Sequence, residues 1–226
     1  PGREDTLNSM SSDITEVLES IYETSGCEVL FLKNMAHHHQ QMDLEFLNKM
    51  TNLFLVRNPK DVVVSHYHQI TKRSLKPLKF SSMSSFIRNN ELGFNRIIHF
   101  YNLWFKQKNE VRDFLLIKYE NMTMSSDTLF LVSEFLKLKL DKEIVNHIYN
   151  EFTSEKMRKK ELRGDLNNSM SFGTELNSLK VRKAKVGTYK HEMNKDDIDY
   201  CNIKLKDLNT EQSSLEKIFV ELVKEK

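Results

Sequence analysis

Residues 53–70 read LFLVRNPKDVVVSHYHQI. The run Leu53-Phe54-Leu55-Val56 is short, apolar and without alternation. Such a run reads as a strand buried on both faces, as in a parallel sheet. Arg57-Asn58-Pro59 stops it, because a proline disfavours a helical residue before it and suits the first turn of a helix. Asp61 then falls in that first turn, where a carboxylate meets the positive end of the helix dipole. The stretch therefore predicts strand, turn and helix, with Arg57 at the carboxyl end of the strand. Ser65 lies eight residues further on, about two turns into the helix. Ligands of open α/β sheets bind beyond the carboxyl ends of the strands. An arginine fork and a hydroxyl at that place suit a phosphate group.

Outward from this stretch the pattern of strands and helices continues. Cys27–Leu32 reads as a buried strand with Lys33 and Asn34 at its carboxyl end, and Phe114–Tyr119 reads as another. Ile14, Val17, Leu18 and Ile21 share one face of a helix over 13–24, and residues 43–50 form a short helix before the central strand. From Ser84 to Lys108 the pattern is helical throughout, with Phe94, Ile97, Ile98, Tyr101, Trp104 and Phe105 at core spacing. Ser125 or Ser126 caps a further helix, Asp141 starts another, and a helix over 195–208 precedes an amphipathic tail from Ser214. Thr71–Ser82 reads as a basic loop and residues 161–180 as a polar one.

The 226 residues are 39% hydrophobic and 29% charged, which fits one globular domain, 1–226, with a sizeable core. A net charge of +2 does not describe a nucleic-acid binder. Two cysteines, Cys27 and Cys201, are too few for a disulfide framework, and no apolar run is long enough to cross a membrane. Met35-Ala36-His37-His38-His39 follows the strand that ends at Leu32. Three adjacent imidazoles do not all face one metal from regular backbone, and no acidic or cysteine partner sits at ligand spacing, so no metal site is expected.

R-N-P-x-D-x-x-x-S after a strand, with Tyr67 two residues beyond Ser65, resembles the nucleotide-binding motif of the sulfotransferases, which use 3′-phosphoadenylyl sulfate (PAPS). The resemblance implies that Arg57 and Ser65 hold the 3′-phosphate of the cofactor. Tyr119-Glu120-Asn121-Met122 is similar to the family's Y-E-D-M, which implies Tyr119 near the adenine. Phe152-Thr153-Ser154-Glu155-Lys156-Met157 resembles its T-S-F-x-x-M, with Thr153 on the serine and Ser154 replacing the phenylalanine. Val181-Arg182-Lys183-Ala184-Lys185-Val186-Gly187-Thr188-Tyr189-Lys190 is similar to R-K-G-x-x-G-D-W-K, whose Arg-Lys-Gly clamps the 3′-phosphate. That implies Arg182 and Lys183 as cofactor ligands, with Ala184 in place of the first glycine. Lys33-Asn34-Met35-Ala36-His37 is similar to the K-D-M-A-H of a bacterial and plant branch. It implies His37 as the general base, with His38 the alternative and Lys33 as companion.

The expected fold class is α/β: a three-layer parallel sheet of the P-loop nucleotide-binding, sulfotransferase type. No segment like the family's T-Y-P-K-S-G-T-T precedes Cys27, so the first strand and the phosphosulfate loop are expected to be missing and the domain to be N-terminally incomplete. The implied reaction is transfer of a sulfuryl group from PAPS to a hydroxyl or amine, leaving adenosine 3′,5′-bisphosphate (PAP), and it is expected to be slow or absent in the chain as given. A non-catalytic nucleotide-binding remnant and a kinase-like P-loop enzyme stay open as alternatives, although neither a Walker lysine nor a magnesium-binding acid is evident. The acceptor is expected to be a small molecule or a carbohydrate, and a homodimer is left open. The expected location is cytoplasmic, with a Golgi anchor upstream of Pro1 left open.

Overall fold

The structure, a computed structural model, describes residues 44–48, 51–73, 76–165, 179, 181–182 and 185–207. A short helix α1 (Leu44–Asn48) leads into strand β1 (Asn52–Val56) and helix α2 (Pro59–Lys72). Helices α3 (Met83–Ile87) and α4 (Phe94–Gln107) precede strand β2 (Phe114–Lys118). Four helices follow: α5 (Tyr119–Met124), α6 (Asp127–Phe135), α7 (Lys142–Glu151) and α8 (Ser154–Arg163). Helices α9 (Tyr189–Glu192) and α10 (Lys195–Lys204) end in a 3₁₀ turn, Leu205–Asp207.

β1 and β2 pair in parallel, with Asn52 opposite Phe114 and Val56 opposite Lys118. Both strands therefore end at the same edge, and Arg57 and Tyr119 leave it side by side. Phe54 and Val56 point into the main core with Val63 and Val64 of α2 and with Ile97, Ile98, Tyr101 and Phe105 of α4. Phe54 stacks on Trp104 at 4.9 Å between ring centres. Full burial of each such side chain contributes roughly 1.5–3 kcal/mol, so this layer fixes where the strand ends lie.

Two expectations change. β1 is not buried on both faces: Leu53 and Leu55 are 40% and 44% exposed, because α2 and α4 pack on the Phe54 side. The helical pattern from Ser84 to Lys108 is broken at 88–93 into two helices. There Asn89 Oδ1 accepts from the N–H groups of Glu91 and Leu92, an asparagine turn that competes with helix continuation. Gly93 closes the break against the carbonyls of Phe86, Ile87 and Asn89, where a Cβ would come within 2.4–2.5 Å of oxygen. Apolar spacing carries no trace of that contact.

Candidate functional site

α2 starts as the sequence predicts. Pro59 opens the helix, and Asn58 caps it through Oδ1, which accepts from Lys60 N–H at 3.0 Å. Arg57 stands just before, held through its backbone. Its carbonyl accepts from Tyr101 Oη at 2.8 Å, and its N–H donates to the same oxygen at 3.3 Å. Burial pushes the Tyr101 phenol well above the usual tyrosine range, so it remains a donor to that carbonyl. Glu120, just past β2, accepts from Asn58 N–H at 2.9 Å and so ties the two strand ends together.

The Arg57 guanidinium lies over the Tyr119 ring, 4.4 Å from its centre. Nη2 donates to the Lys185 carbonyl at 3.2 Å and sits 3.7 Å from Asp61 Oδ2. Nε is buried and has no hydrogen-bond partner among the described residues. A buried guanidinium N–H without an acceptor is costly, and an arriving anion would supply one.

Asp61 organises the surroundings. It is 1% exposed. Oδ2 accepts from Gly187 N–H at 2.7 Å, and Oδ1 from Tyr189 N–H at 3.0 Å and Thr188 Oγ1 at 3.1 Å. The carboxylate does stand in the first turn of α2, as the dipole argument predicts. Its larger effect is to anchor the segment 187–189 beside Arg57. Lys60, also buried, donates to Asn202 Oδ1 at 2.8 Å and lies over the Tyr189 ring; burial pulls its pKa below the ordinary lysine value. Next to it the Cys201 thiol is pushed up to about 12, again by burial, which makes it an inert core group.

The other expected site residues are placed as follows. Ser65 is half-buried on α2, and its carbonyl accepts from Arg73 Nη2 at 3.2 Å. Thr153 caps α8, its hydroxyl accepting from Lys156 N–H at 3.4 Å. That helix carries Arg158 to a cavity of about 370 Å³, lined also by Lys185, Val186, Gly187, Thr188 and His191. Arg182 donates from Nη2 to Glu192 Oε1 at 2.7 Å, and His68 Nε2 lies 2.8 Å from Glu192 Oε2. Burial lowers the His68 pKa, with the Glu192 hydrogen bond opposing. Lys33, His37, His38 and Lys183 lie outside the described residues.

The structure thus brings Arg57 against Tyr119, and the 185–189 segment against Arg57. Tyr101, Glu120 and Glu192 were not expected at the site. Tyr101 has ordinary core spacing in α4, and the partners of the two glutamates are set only by the fold.

Residues 5–207 match the family model described as the sulfotransferase domain. The chain belongs to the sulfotransferase domain family. It is 29% identical over 153 residues to the amine sulfotransferase of Oryctolagus cuniculus, across 65% of this chain and 50% of that protein. It is 26% identical over 148 residues to sulfotransferase 1B1 of Mus musculus, across 64% and 49%. The chain therefore spans about half the length of these sulfotransferases. Its fold is similar to the crystal structure of mouse sulfotransferase SULT7A1 complexed with PAP: TM-score 0.59, 16% identity, 75% of this chain and 62% of that one. A retinol dehydratase in complex with androsterone and inactive cofactor PAP gives the same TM-score at 18% identity, over 76% and 51%. The sulfotransferase-type α/β fold expected from the R-N-P motif is thereby borne out.

Proposed function

We propose that this sulfotransferase-family chain binds the 3′-phosphoadenosine part of PAPS and transfers the sulfuryl group to a hydroxyl or amine. The observation that carries the reading is Arg57: a guanidinium beyond a strand end, held over Tyr119, with Nε buried and without a hydrogen-bond partner among the described residues. A cation so placed fits a phosphate better than it fits any neutral ligand. In this reading Arg57, Ser65, Arg182 and Lys183 hold the 3′-phosphate, Tyr119 flanks the adenine, and Thr153 contacts the nucleotide from the start of α8.

His37 takes the proton from the acceptor as its oxygen or nitrogen attacks sulfur, with His38 the alternative base. Lys33 donates to the bridging oxygen as the bond from sulfur to that oxygen breaks, and PAP leaves. The acceptor is a small molecule or a carbohydrate. The reading further holds that residues 1–226 are one domain acting in the cytoplasm, in keeping with only two cysteines. Among the described residues no helix is long and apolar enough to cross a membrane.

Calorimetry with PAP and with AMP tests the nucleotide assignment. The chain should prefer PAP, and Arg57→Ala should lower PAP affinity by roughly ten- to hundred-fold, the equivalent of one charged hydrogen bond. Equal binding of PAP and AMP by the unaltered chain would reject the reading.

A further inference from the structure

Arg182 is fixed at two points. Glu161 of α8 accepts from the N–H of Val181, the residue before it, at 2.9 Å. Glu192 of α9 takes its guanidinium at 2.7 Å. The second oxygen of Glu192 faces His68 at 2.8 Å, and all three side chains, Arg182, Glu192 and His68, are only 11% exposed. His68 stands three residues after Ser65, one helical turn further along α2. On the same stretch Arg73, 6% exposed, donates to the Ser65 carbonyl. One carboxylate thus connects Arg182, which follows α8, to the turn of α2 that carries the hydroxyl.

A single flexible arginine pays rotamer entropy when it closes on a phosphate. A guanidinium already gripped through one nitrogen has less freedom to lose, and its other nitrogens stay available as donors. We infer that Glu192, backed by His68, is a positioning residue that presets Arg182 for the 3′-phosphate. This rests on the reading of Arg182 as a ligand of that phosphate. The sequence reading gave Glu192 no role, and its effect is on discrimination, not on nucleotide binding as such.

The test is a double-mutant cycle read as the ratio of PAP to AMP affinity, measured by calorimetry on the full 226-residue chain. Glu192→Gln should lower the ratio about tenfold, within the usual range of coupling between contacting residues, while AMP affinity stays about constant. Arg182→Ala should lower it too, and the double variant should fall no further than Arg182→Ala alone. A purely structural role would weaken PAP and AMP alike and leave the ratio in place, which would overturn the inference. An unchanged ratio in Glu192→Gln beside a lowered one in Arg182→Ala would also overturn it and leave the phosphate assignment standing. An unchanged ratio in Arg182→Ala would remove that assignment and the inference with it. If Glu192→Gln does not fold, Glu192→Asp is the substitute: it keeps the charge, shortens the reach, and should give a smaller drop in the same ratio.

Discussion

Asp61 and Asp141 are both aspartates at the start of a helix, and both accept from backbone N–H groups. Asp141 caps α7 by accepting from Ile144 N–H at 2.8 Å, three residues away, on an exposed surface. Asp61 is buried and accepts from groups 126, 127 and 128 residues away. Their surroundings differ in the same sense. Around Asp61 lie the buried Asn58, Lys60, Val63 and Val64, with Thr188 and Tyr189 from the far segment. In α7 only Val145 is buried, while Ile144, Ile148 and Phe152 are 45%, 38% and 60% exposed. The strand-end region is thus held by non-local polar bonds in a dry setting, and the α6–α7 region by local capping and thin packing. Identical chemistry has different weight in the two places, because the alternative partner is water in one and nothing in the other.

Three substitutions put that contrast at risk. Asp61→Ala should have the largest effect, about 3–5 kcal/mol in denaturant unfolding, since it leaves buried donors and the Arg57 charge uncompensated. If it lowers stability no more than Asp141→Ala, the strand-end region is wetter than its burial implies. Asp141→Ala should lower stability by about 1 kcal/mol, the ordinary effect of losing an N-cap, with faster amide exchange confined to α7. Exchange spreading to α2 would join the two regions into one cooperative unit. Phe152→Ser should change stability by less than about 0.5 kcal/mol, as for most exposed positions. A much larger loss in the same unfolding measurement would mean that the ring is covered in solution.

How much was legible in the sequence follows the same division. Residues 53–65 determined a great deal on their own. An apolar run, a proline and a carboxylate act on the backbone within a few residues, so strand, turn and helix follow from local sterics and the helix dipole. The position of Arg57 at the strand end follows with them. β2 was readable as another short apolar run, whereas Tyr119 as a site residue came from the resemblance of Tyr119-Glu120-Asn121-Met122 to the family's Y-E-D-M. The break at 88–93 was not read, although Asn89, Asn90 and Gly93 are turn residue types, and the deciding contact is backbone against the α-carbon of Gly93.

Only the tertiary structure decided that Arg57 lies over Tyr119, that Glu120 ties the strand ends, and that Asp61 and Glu192 hold residues 187–189 and Arg182 against α2 and α9. Each of these links residues from 10 to 128 positions apart. A charged side chain reads the same in sequence whether water or a buried donor will face it. Which of the two it meets is set by how the layers pack, and it is that packing that brings Arg57 over Tyr119 and sets Glu192 between Arg182 and His68.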